Sequence, residues 1–294
     1  MGFWNLLFGS DNKTSEQQQA EEISKKFDLF KYDGVKALKM GQVDYAVKCF
    51  TEALNIKEDA ETLDYLAQAY LRQGLLEESL AQLDKLTVIV PGNVGVWLQK
   101  ARIAYMLEDY ETMSIHCSKV IEIDAGNAVA HMMQGQAKQA MGDSISAIVM
   151  YTKAITLDEQ LGEAYLLRSR LLLAMGDVVS ADKDVSYLQD LIPDNEDVLM
   201  LKAHIEYAKG NKNEAINVYS NVIELNPFNA DAYKERGRVK FEMGDTNGAK
   251  SDVEKLLELI PDALSDINGD YSAEGIEHKV KQAYSMMNPY GIWK

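Results

Sequence analysis

The stretch that decides the fold is residues 230–261, which read ADAYKERGRVKFEMGDTNGAKSDVEKLLELIP. Its central glycine belongs to a series with a spacing of 34 residues, and its final proline belongs to a second series with the same spacing. A fixed period of this length indicates stacked supersecondary units, because a single unit cannot bury its apolar face alone. The two series are Gly142, Gly176, Gly210 and Gly244, and Pro193, Pro227 and Pro261.

Seven units of this kind follow one another along the chain. Each is interpreted as a helix, a tight turn at the glycine, a second helix and a turn at the proline, since glycine adopts positive φ after a helix and proline cannot continue one. When positions in the first unit are counted from Phe27, just before it, the eighth residue of every unit is small, as two closely crossing helices require. The units are 28–59, 60–93, 94–127, 128–161, 162–195, 196–229 and 230–263.

The third unit departs most from the shared pattern. It has Glu108 where the turn glycine is expected, Met113 where a small residue is expected, Cys117 in place of an aromatic residue and Ala125 in place of proline. We therefore expect a local kink or altered stacking in this unit.

The pattern of small residues, aromatic residues, glycine and proline resembles that of the tetratricopeptide-repeat (TPR) family, most fully in residues 196–227 and 230–261. The resemblance implies an all-α fold, a right-handed superhelix (α-solenoid) of about seven helix-turn-helix repeats over residues 27–263. Before it, residues 1–26 are predicted to form an apolar tip, a polar linker and a helix through 16–26, capped by Ser15. After it, residues 264–294 are predicted to form a C-terminal capping helix and a tail, with Ser272 opening the helix.

Composition excludes several classes of protein. The formal net charge is −16 over 294 residues, and no basic run is present, which speaks against a nucleic-acid partner. The two cysteines, Cys49 and Cys117, lie two repeats apart, too far for a disulfide. We expect a reduced, cytoplasmic protein without a signal peptide or membrane span.

Motifs that carry catalysis are missing from the sequence. No phosphate-binding loop, zinc-protease motif or nucleophile elbow occurs, so we expect no enzyme, no cofactor and no metal. One alternative is an acidic loop at 266–277 whose spacing resembles that of a calcium-binding EF-hand, although Tyr271 stands where that loop needs glycine. A metal-dependent regulator would require this loop or a histidine pair to take metal.

The family resemblance also implies which positions line the concave face. The ninth residue of the units is a long polar donor in six of seven cases, and Arg102, Arg170 and Arg238 are expected to point toward a protein or peptide partner. The alternative is that these arginines pair with nearby carboxylates and that the apolar residues pack between helices. The predicted contact residues are Tyr65, Gln68, Arg102, Tyr105, Met133, Gln136, Leu167, Arg170, His204, Tyr207 and Arg238.

One well-known binding mode of the family is disfavoured. A carboxylate clamp for chaperone tails asks for lysine, asparagine and arginine at set positions of three successive first helices. The first three units offer Lys31 but then Val35, Tyr65, Gly95 and Gln99. The partner is therefore not expected to be a chaperone C-terminus.

The N-terminal tip differs from the repeats in composition. Five large apolar side chains occupy six positions, namely Phe3, Trp4, Leu6, Leu7 and Phe8. Burying them in a bilayer surface could support reversible, weak peripheral attachment at the cytoplasmic membrane face. An acidic protein is repelled by anionic lipid, however, so packing onto its own or a second solenoid and a disordered tip remain alternatives.

Overall fold

The computed structural model describes residues 14–263 and Lys279. Over these residues the chain is helical. It divides into two compact units, each larger than a single repeat, which are here called unit 1 (Met1–Gly126) and unit 2 (Asn127–Lys294). The helices of unit 1 are α1 (Ser15–Lys39), α2 (Val43–Ile56), α3 (Ala60–Arg72), α4 (Leu76–Ile89), α5 (Val94–Met106) and α6 (Tyr110–Ile123). Those of unit 2 are α7 (Ala128–Ala140), α8 (Ser144–Leu157), α9 (Gly162–Ala174), α10 (Val178–Leu191), α11 (Glu196–Ala208), α12 (Lys212–Leu225), α13 (Ala230–Glu242) and α14 (Thr246–Leu259).

The turns inside the repeats confirm the glycine prediction. Gly41, Gly74, Gly142, Gly176, Gly210 and Gly244 all have φ between +74° and +86°. This left-handed conformation costs glycine nothing because it has no Cβ. Four prolines each lie two residues beyond the end of a second helix, where they prevent the helix from continuing: Pro91, Pro193, Pro227 and Pro261.

The small residues at the eighth position allow the two helices of a repeat to touch. A Cβ added at Gly135 would lie 2.6 Å from the Tyr151 ring, and one at Gly34 would lie 2.6 Å from the Phe50 ring. In the second repeat the Ser79 hydroxyl donates a hydrogen bond to the Ala67 carbonyl at 2.8 Å. Close packing of this kind leaves no room for a larger side chain.

Helix α1 differs from the prediction. It begins after Thr14, whose hydroxyl accepts the Gln17 N–H while the Gln17 side chain accepts the Thr14 N–H, so the capping residue is Thr14 and not Ser15. The helix then continues without a break to Lys39. Residues 16–26 and the first helix of the first repeat form one continuous helix, because neither glycine nor proline occurs where the two segments meet.

Each unit has its own apolar core. In unit 1 two clusters form around Phe50 and around Leu83, and in unit 2 two clusters form around Tyr151 and around Tyr219. Met113, at a position that is otherwise small, is fully buried within the third repeat. Both cysteines are buried free thiols, and burial raises the pKa of Cys117 to about 12.

Two predicted segments lie outside the described residues. They are the apolar tip at residues 3–8 and, except for Lys279, the C-terminal helix with the acidic loop before it. Lys279 is helical and buried. Among the helices of residues 14–263, none is long and apolar enough to cross a membrane.

Candidate functional site

The predicted contact residues all lie on the first helix of a repeat. In unit 1 they lie on α3 and α5, and in unit 2 on α7, α9, α11 and α13. Helix periodicity places positions that are three residues apart on one face, so each helix presents its own pair of these residues, except α13, which carries Arg238 alone.

In unit 1 the most accessible predicted residues are Arg102 and Tyr105. Both are exposed on α5, three residues apart, and Tyr105 contacts the Tyr110 ring edge-on with ring centroids 6.1 Å apart. Within the part of the chain that the structure describes, Arg102 forms no ion pair. Its guanidinium is therefore available to a carboxylate or carbonyl of another molecule.

The other two predicted residues of unit 1 are partly occupied by internal contacts. Tyr65 stacks on the Phe50 ring at 5.6 Å, and its hydroxyl donates to Glu61. The Gln68 amide donates to Asp64 at 2.7 Å. Both side chains remain half-buried, and their polar groups already have hydrogen-bond partners within the protein.

Unit 2 contains a cavity of about 530 Å³. It lies where the C-terminal ends of α9 and α11 meet the start of α12 and the end of α13. Its lining combines apolar groups with a few charged ones, the composition typical of a ligand-binding pocket. The lining residues include Leu173, His204, Tyr207, Lys209, Lys212 and Glu242.

Tyr207 lines this cavity and makes several contacts around it. Its hydroxyl donates to the Glu242 carboxylate at 2.9 Å, and the Arg238 guanidinium lies 4.3 Å from its ring centroid. Burial and the Glu242 carboxylate raise the pKa of the Tyr207 phenol, so it remains a neutral donor. The Lys212 ammonium pairs with Glu242 at 2.8 Å. The ring is thus held in place before any partner arrives.

Arg238 does not point into the groove as predicted. It is 2% exposed, and its Nε and Nη2 atoms donate to one Glu235 oxygen at 3.0 and 2.8 Å, while Nη1 donates to Glu242 at 3.3 Å. Burial lowers its pKa, but the adjacent Glu235 carboxylate raises it on balance. The two glutamates lie three residues before and four residues after Arg238, so they share its helix face. That spacing was the sequence signal for an internal ion pair.

The position of Met133 also differs from the prediction. It was predicted to supply contact area to a partner, but it is buried within unit 2. Leu167, in the equivalent position of the next repeat, stays half-buried against the core. Gln136 is also half-buried. The stacked helices therefore take up part of the apolar stripe that the resemblance assigns to the concave face.

Arg170 and His204 occupy equivalent positions in neighbouring repeats but differ in state. Arg170 is exposed and pairs with Asp197 of the next first helix at 2.5 Å, a surface pair that contributes less than about 1 kcal/mol. A partner carboxylate could therefore replace Asp197. His204 lines the cavity and contacts the Tyr219 ring edge-on, and burial lowers its pKa to about 4, which keeps the imidazole neutral near pH 7.

The charges around the cavity compensate one another. Lys209 pairs with Asp182 at 2.8 Å and with Glu206 at 2.9 Å, as Lys212 pairs with Glu242. Burial alone would raise the pKa of Glu206, but hydrogen bonds from Asn211, Lys209 and Lys202 lower it to about 2. Because each of these cations already has an anion, the cavity suits an uncharged apolar side chain best.

Sequence reasoning did not identify Lys209, Lys212, Glu242 or Leu173 as site residues. The sequence did distinguish the corner that contains Lys209, since Lys209-Gly210-Asn211 replaces the Met-Gly-Asp turn of the neighbouring repeats. No group of three histidine, cysteine, aspartate or glutamate side chains able to hold a metal ion occurs within residues 14–263.

Comparison with protein families identifies two of the repeats. A family model described as tetratricopeptide repeat matches residues 128–161, which is the fourth unit of the sequence pattern, and one described as TPR repeat matches residues 203–244. Among curated proteins, none matches the chain significantly in sequence.

Solved structures share the fold. A tetratricopeptide repeat protein from Parabacteroides merdae has a TM-score of 0.66 at 16% identity and covers 87% of this chain and 98% of its own. PilF of Pseudomonas aeruginosa has a TM-score of 0.60 at 16% identity, covering 73% and 97%. YrrB, described as a TPR protein with an unusual peptide-binding site, has a TM-score of 0.52 at 17% identity, covering 62% and 93%.

Proposed function

Since the chain is an all-α solenoid of tetratricopeptide repeats, we propose that it is a non-catalytic module that binds a segment of a partner protein on its concave face. Repeat solenoids present long concave surfaces, and the fold hosts many different partners, so the site and not the fold must carry the specificity. A relative in fold, YrrB, is described as having a peptide-binding site.

The observation that carries this proposal is the cavity around Tyr207. An extended or helical segment would insert one large apolar side chain there, against Tyr207 and Leu173. Burying such a side chain stabilises a complex by about 1.5 to 3 kcal/mol. In unit 2, Arg170 would receive a carboxylate or carbonyl of the bound segment; unit 1, taken by itself, offers the same group to a partner at Arg102.

The proposal is tested by affinity purification with purified variants as bait. Arg102→Glu combined with Arg170→Glu reverses two exposed charges, and Tyr207→Ala removes the anchor contact. We expect both variants to keep the helicity of the wild type and to lose the partner, with an affinity loss of about thirtyfold for Tyr207→Ala, or about 2 kcal/mol.

The matched control replaces exposed apolar residues on second helices. Leu191→Gln and Leu225→Gln replace exposed residues at the ends of α10 and α12 that do not line the cavity, and they should leave capture unchanged. Recovery of the same partners at the same yield by all of these variants would refute binding on the concave face.

A second candidate function rests on the sequence of residues 3–8, where five of six side chains are large and apolar. In this alternative the protein is a peripheral assembly or scaffold factor at the cytoplasmic membrane face. Flotation with liposomes of neutral lipid should carry the full chain and not a chain that begins at residue 15. Equal flotation of the two would reject the membrane role.

A further inference from the structure

A three-residue turn recurs in unit 2, and only one of its copies borders the cavity around Tyr207, through Gly176. The sequence Met-Gly-Asp occurs at residues 141–143, 175–177 and 243–245, each time between the two helices of a repeat. The glycines have φ of +83°, +84° and +86°, so the three turns share one backbone conformation. Because each turn occupies the same corner of its repeat, the three turns belong to one side of unit 2, here called the turn edge.

The methionines of the turn edge are exposed. Their exposed fractions are 40% for Met141, 52% for Met175 and 44% for Met243. Each methionine is the C-cap of its helix and directly precedes the left-handed glycine, which directs the chain away from the core. Methionine is flexible and polarizable, and it is over-represented on surfaces that accept apolar partners of varied shape.

The aspartates of the same turns cap the helices that follow them. Asp143, Asp177 and Asp245 each accept a backbone N–H at the start of the following helix, at 2.9 to 3.1 Å. Hydrogen bonds from Ser146 and Ser180 lower the pKa of Asp143 and Asp177, with smaller contributions from nearby lysines. Among the described residues none of the three aspartates forms an ion pair.

The lysines that belong to these corners are neutralised in a different way. Lys209 pairs with Asp182 and Glu206, Lys212 with Glu242, and Lys240 with Asp252 at 2.8 Å. Their charges are therefore compensated by ion pairs within the protein. The aspartates of the turns form no ion pair among residues 14–263, and the lysines that affect them, Lys138 at Asp143 and Lys183 at Asp177, contribute little to lowering their pKa. The turn edge thus offers apolar contact area together with negative charge, on a chain of net charge −16.

We propose that the turn edge of unit 2 binds a basic amphipathic segment of a partner protein, with aliphatic side chains on the methionines and lysine or arginine side chains on the aspartates. Apolar area gives the affinity, and charge complementarity selects the partner and speeds its approach. A second copy of this acidic chain, or an anionic lipid surface, would be repelled by the same carboxylates. This surface shares Gly176 with the cavity around Tyr207, but the methionine and aspartate side chains that carry the proposal do not line that cavity.

The test uses the full-length protein and a fluorescent 14-residue peptide of leucine and lysine in an amphipathic pattern. Fluorescence anisotropy should show saturable binding that weakens as salt is raised, because screening reduces the attraction between exposed charges. A matched peptide with glutamate in place of lysine should not bind. Absence of saturable binding by the lysine peptide, or equal binding of the two peptides, would overturn the proposal.

Substitutions locate the contact. Met175→Gln with Met243→Gln keeps side-chain length but removes apolar surface, and it should weaken the lysine peptide about tenfold. Asp177→Asn with Asp245→Asn keeps the helix caps, since asparagine caps as well as aspartate, and it should weaken binding and flatten the salt dependence. If neither pair of substitutions changes the affinity, the peptide is bound elsewhere and the proposal is wrong.

Two control variants distinguish the turn edge from the rest of the surface. Leu191→Gln with Leu225→Gln removes side chains that are each 50% exposed, at the last residues of α10 and α12 and away from the turns, and it should leave binding unchanged. Tyr207→Ala should also leave it unchanged. If Tyr207→Ala alone abolishes peptide binding, the peptide contacts the concave face and not the turn edge. That result would overturn this inference, and the proposed function would still hold. Self-association that Met175→Gln with Met243→Gln abolishes would instead assign the edge to a second copy and overturn it as well.

Discussion

At the scale of single residues, Glu108 shows how strongly the repeat imposes its turn. Its φ is +57°, in the left-handed region that the six turn glycines occupy in other repeats. The Glu108 N–H donates to the Tyr105 carbonyl at 3.0 Å and the Asp109 N–H to the Ala104 carbonyl at 2.9 Å, the same pattern as at Gly142 and Asp143. The backbone geometry is therefore kept although the residue does not favour it.

We predict that Glu108→Gly raises the free energy of unfolding by about 0.5 to 1 kcal/mol. The left-handed conformation destabilises a non-glycine residue by about 1 to 2 kcal/mol, and glycine removes this strain. Part of the gain is offset because glycine makes the unfolded chain more flexible. Urea denaturation followed by circular dichroism measures the change. The reciprocal control, Gly142→Glu, places the same residue in a normal turn and should destabilise it. A lower unfolding free energy for Glu108→Gly would contradict the explanation.

At the scale of helices, two arginines connect elements of unit 2. Arg168 on α9 donates from Nε and Nη2 to Asp184 on α10 at 2.8 and 2.6 Å, and from Nη1 to the Thr152 hydroxyl on α8 at 2.9 Å. Two repeats later Arg236 makes the same contacts with Asp252 and a serine, Ser220. Each arginine therefore links three successive helices. The carboxylates are almost completely buried, so the pairs are sensitive to loss of one partner.

Arg168→Met should cost about 3 kcal/mol, because it leaves the Asp184 carboxylate buried without its cation. Arg168→Met combined with Asp184→Leu should recover most of that loss, since an apolar pair of similar volume needs no compensation. Chemical denaturation of the two single variants and the double variant gives the coupling. Simple additivity of the single effects would show that the two side chains do not act as a pair.

At the scale of the whole molecule, the chain comprises two compact units that each bury their own core. The clusters around Phe50 and Leu83 belong to Met1–Gly126, and those around Tyr151 and Tyr219 belong to Asn127–Lys294. The boundary coincides with the end of the third repeat, which is the one that departs most from the shared sequence pattern. In repeat arrays, stability is the sum of contributions from repeats and from their neighbours.

We expect the chains 1–126 and 127–294 to fold separately, because each contains three or more repeats and its own core. Far-ultraviolet circular dichroism should show helix in both chains, and each should unfold cooperatively on heating. The 127–294 chain should also bind the leucine–lysine peptide with the affinity of the full protein. A random-coil spectrum for either chain would show that its core is insufficient alone.

The sequence by itself determined the repeat register, the turn glycines, the close helix contacts and the ends of most helices. These features depend on residues within one 34-residue unit, where backbone conformation and steric size decide the outcome. Residues 128–161, taken from the period alone, coincide with a family match. The same local argument was sufficient to predict that Arg170 and Tyr207 lie on first helices.

Only the tertiary structure decided which of those side chains a partner could reach. Arg238 and Arg170 hold the same place in their repeats, yet the first is enclosed by Glu235, Glu242 and the Tyr207 ring, while the second pairs with Asp197 at the surface. Met133 is buried although its equivalent Leu167 is not fully buried. Accessibility and charge compensation depend on what neighbouring repeats place beside a residue, and a period of identical positions contains no information about those differences.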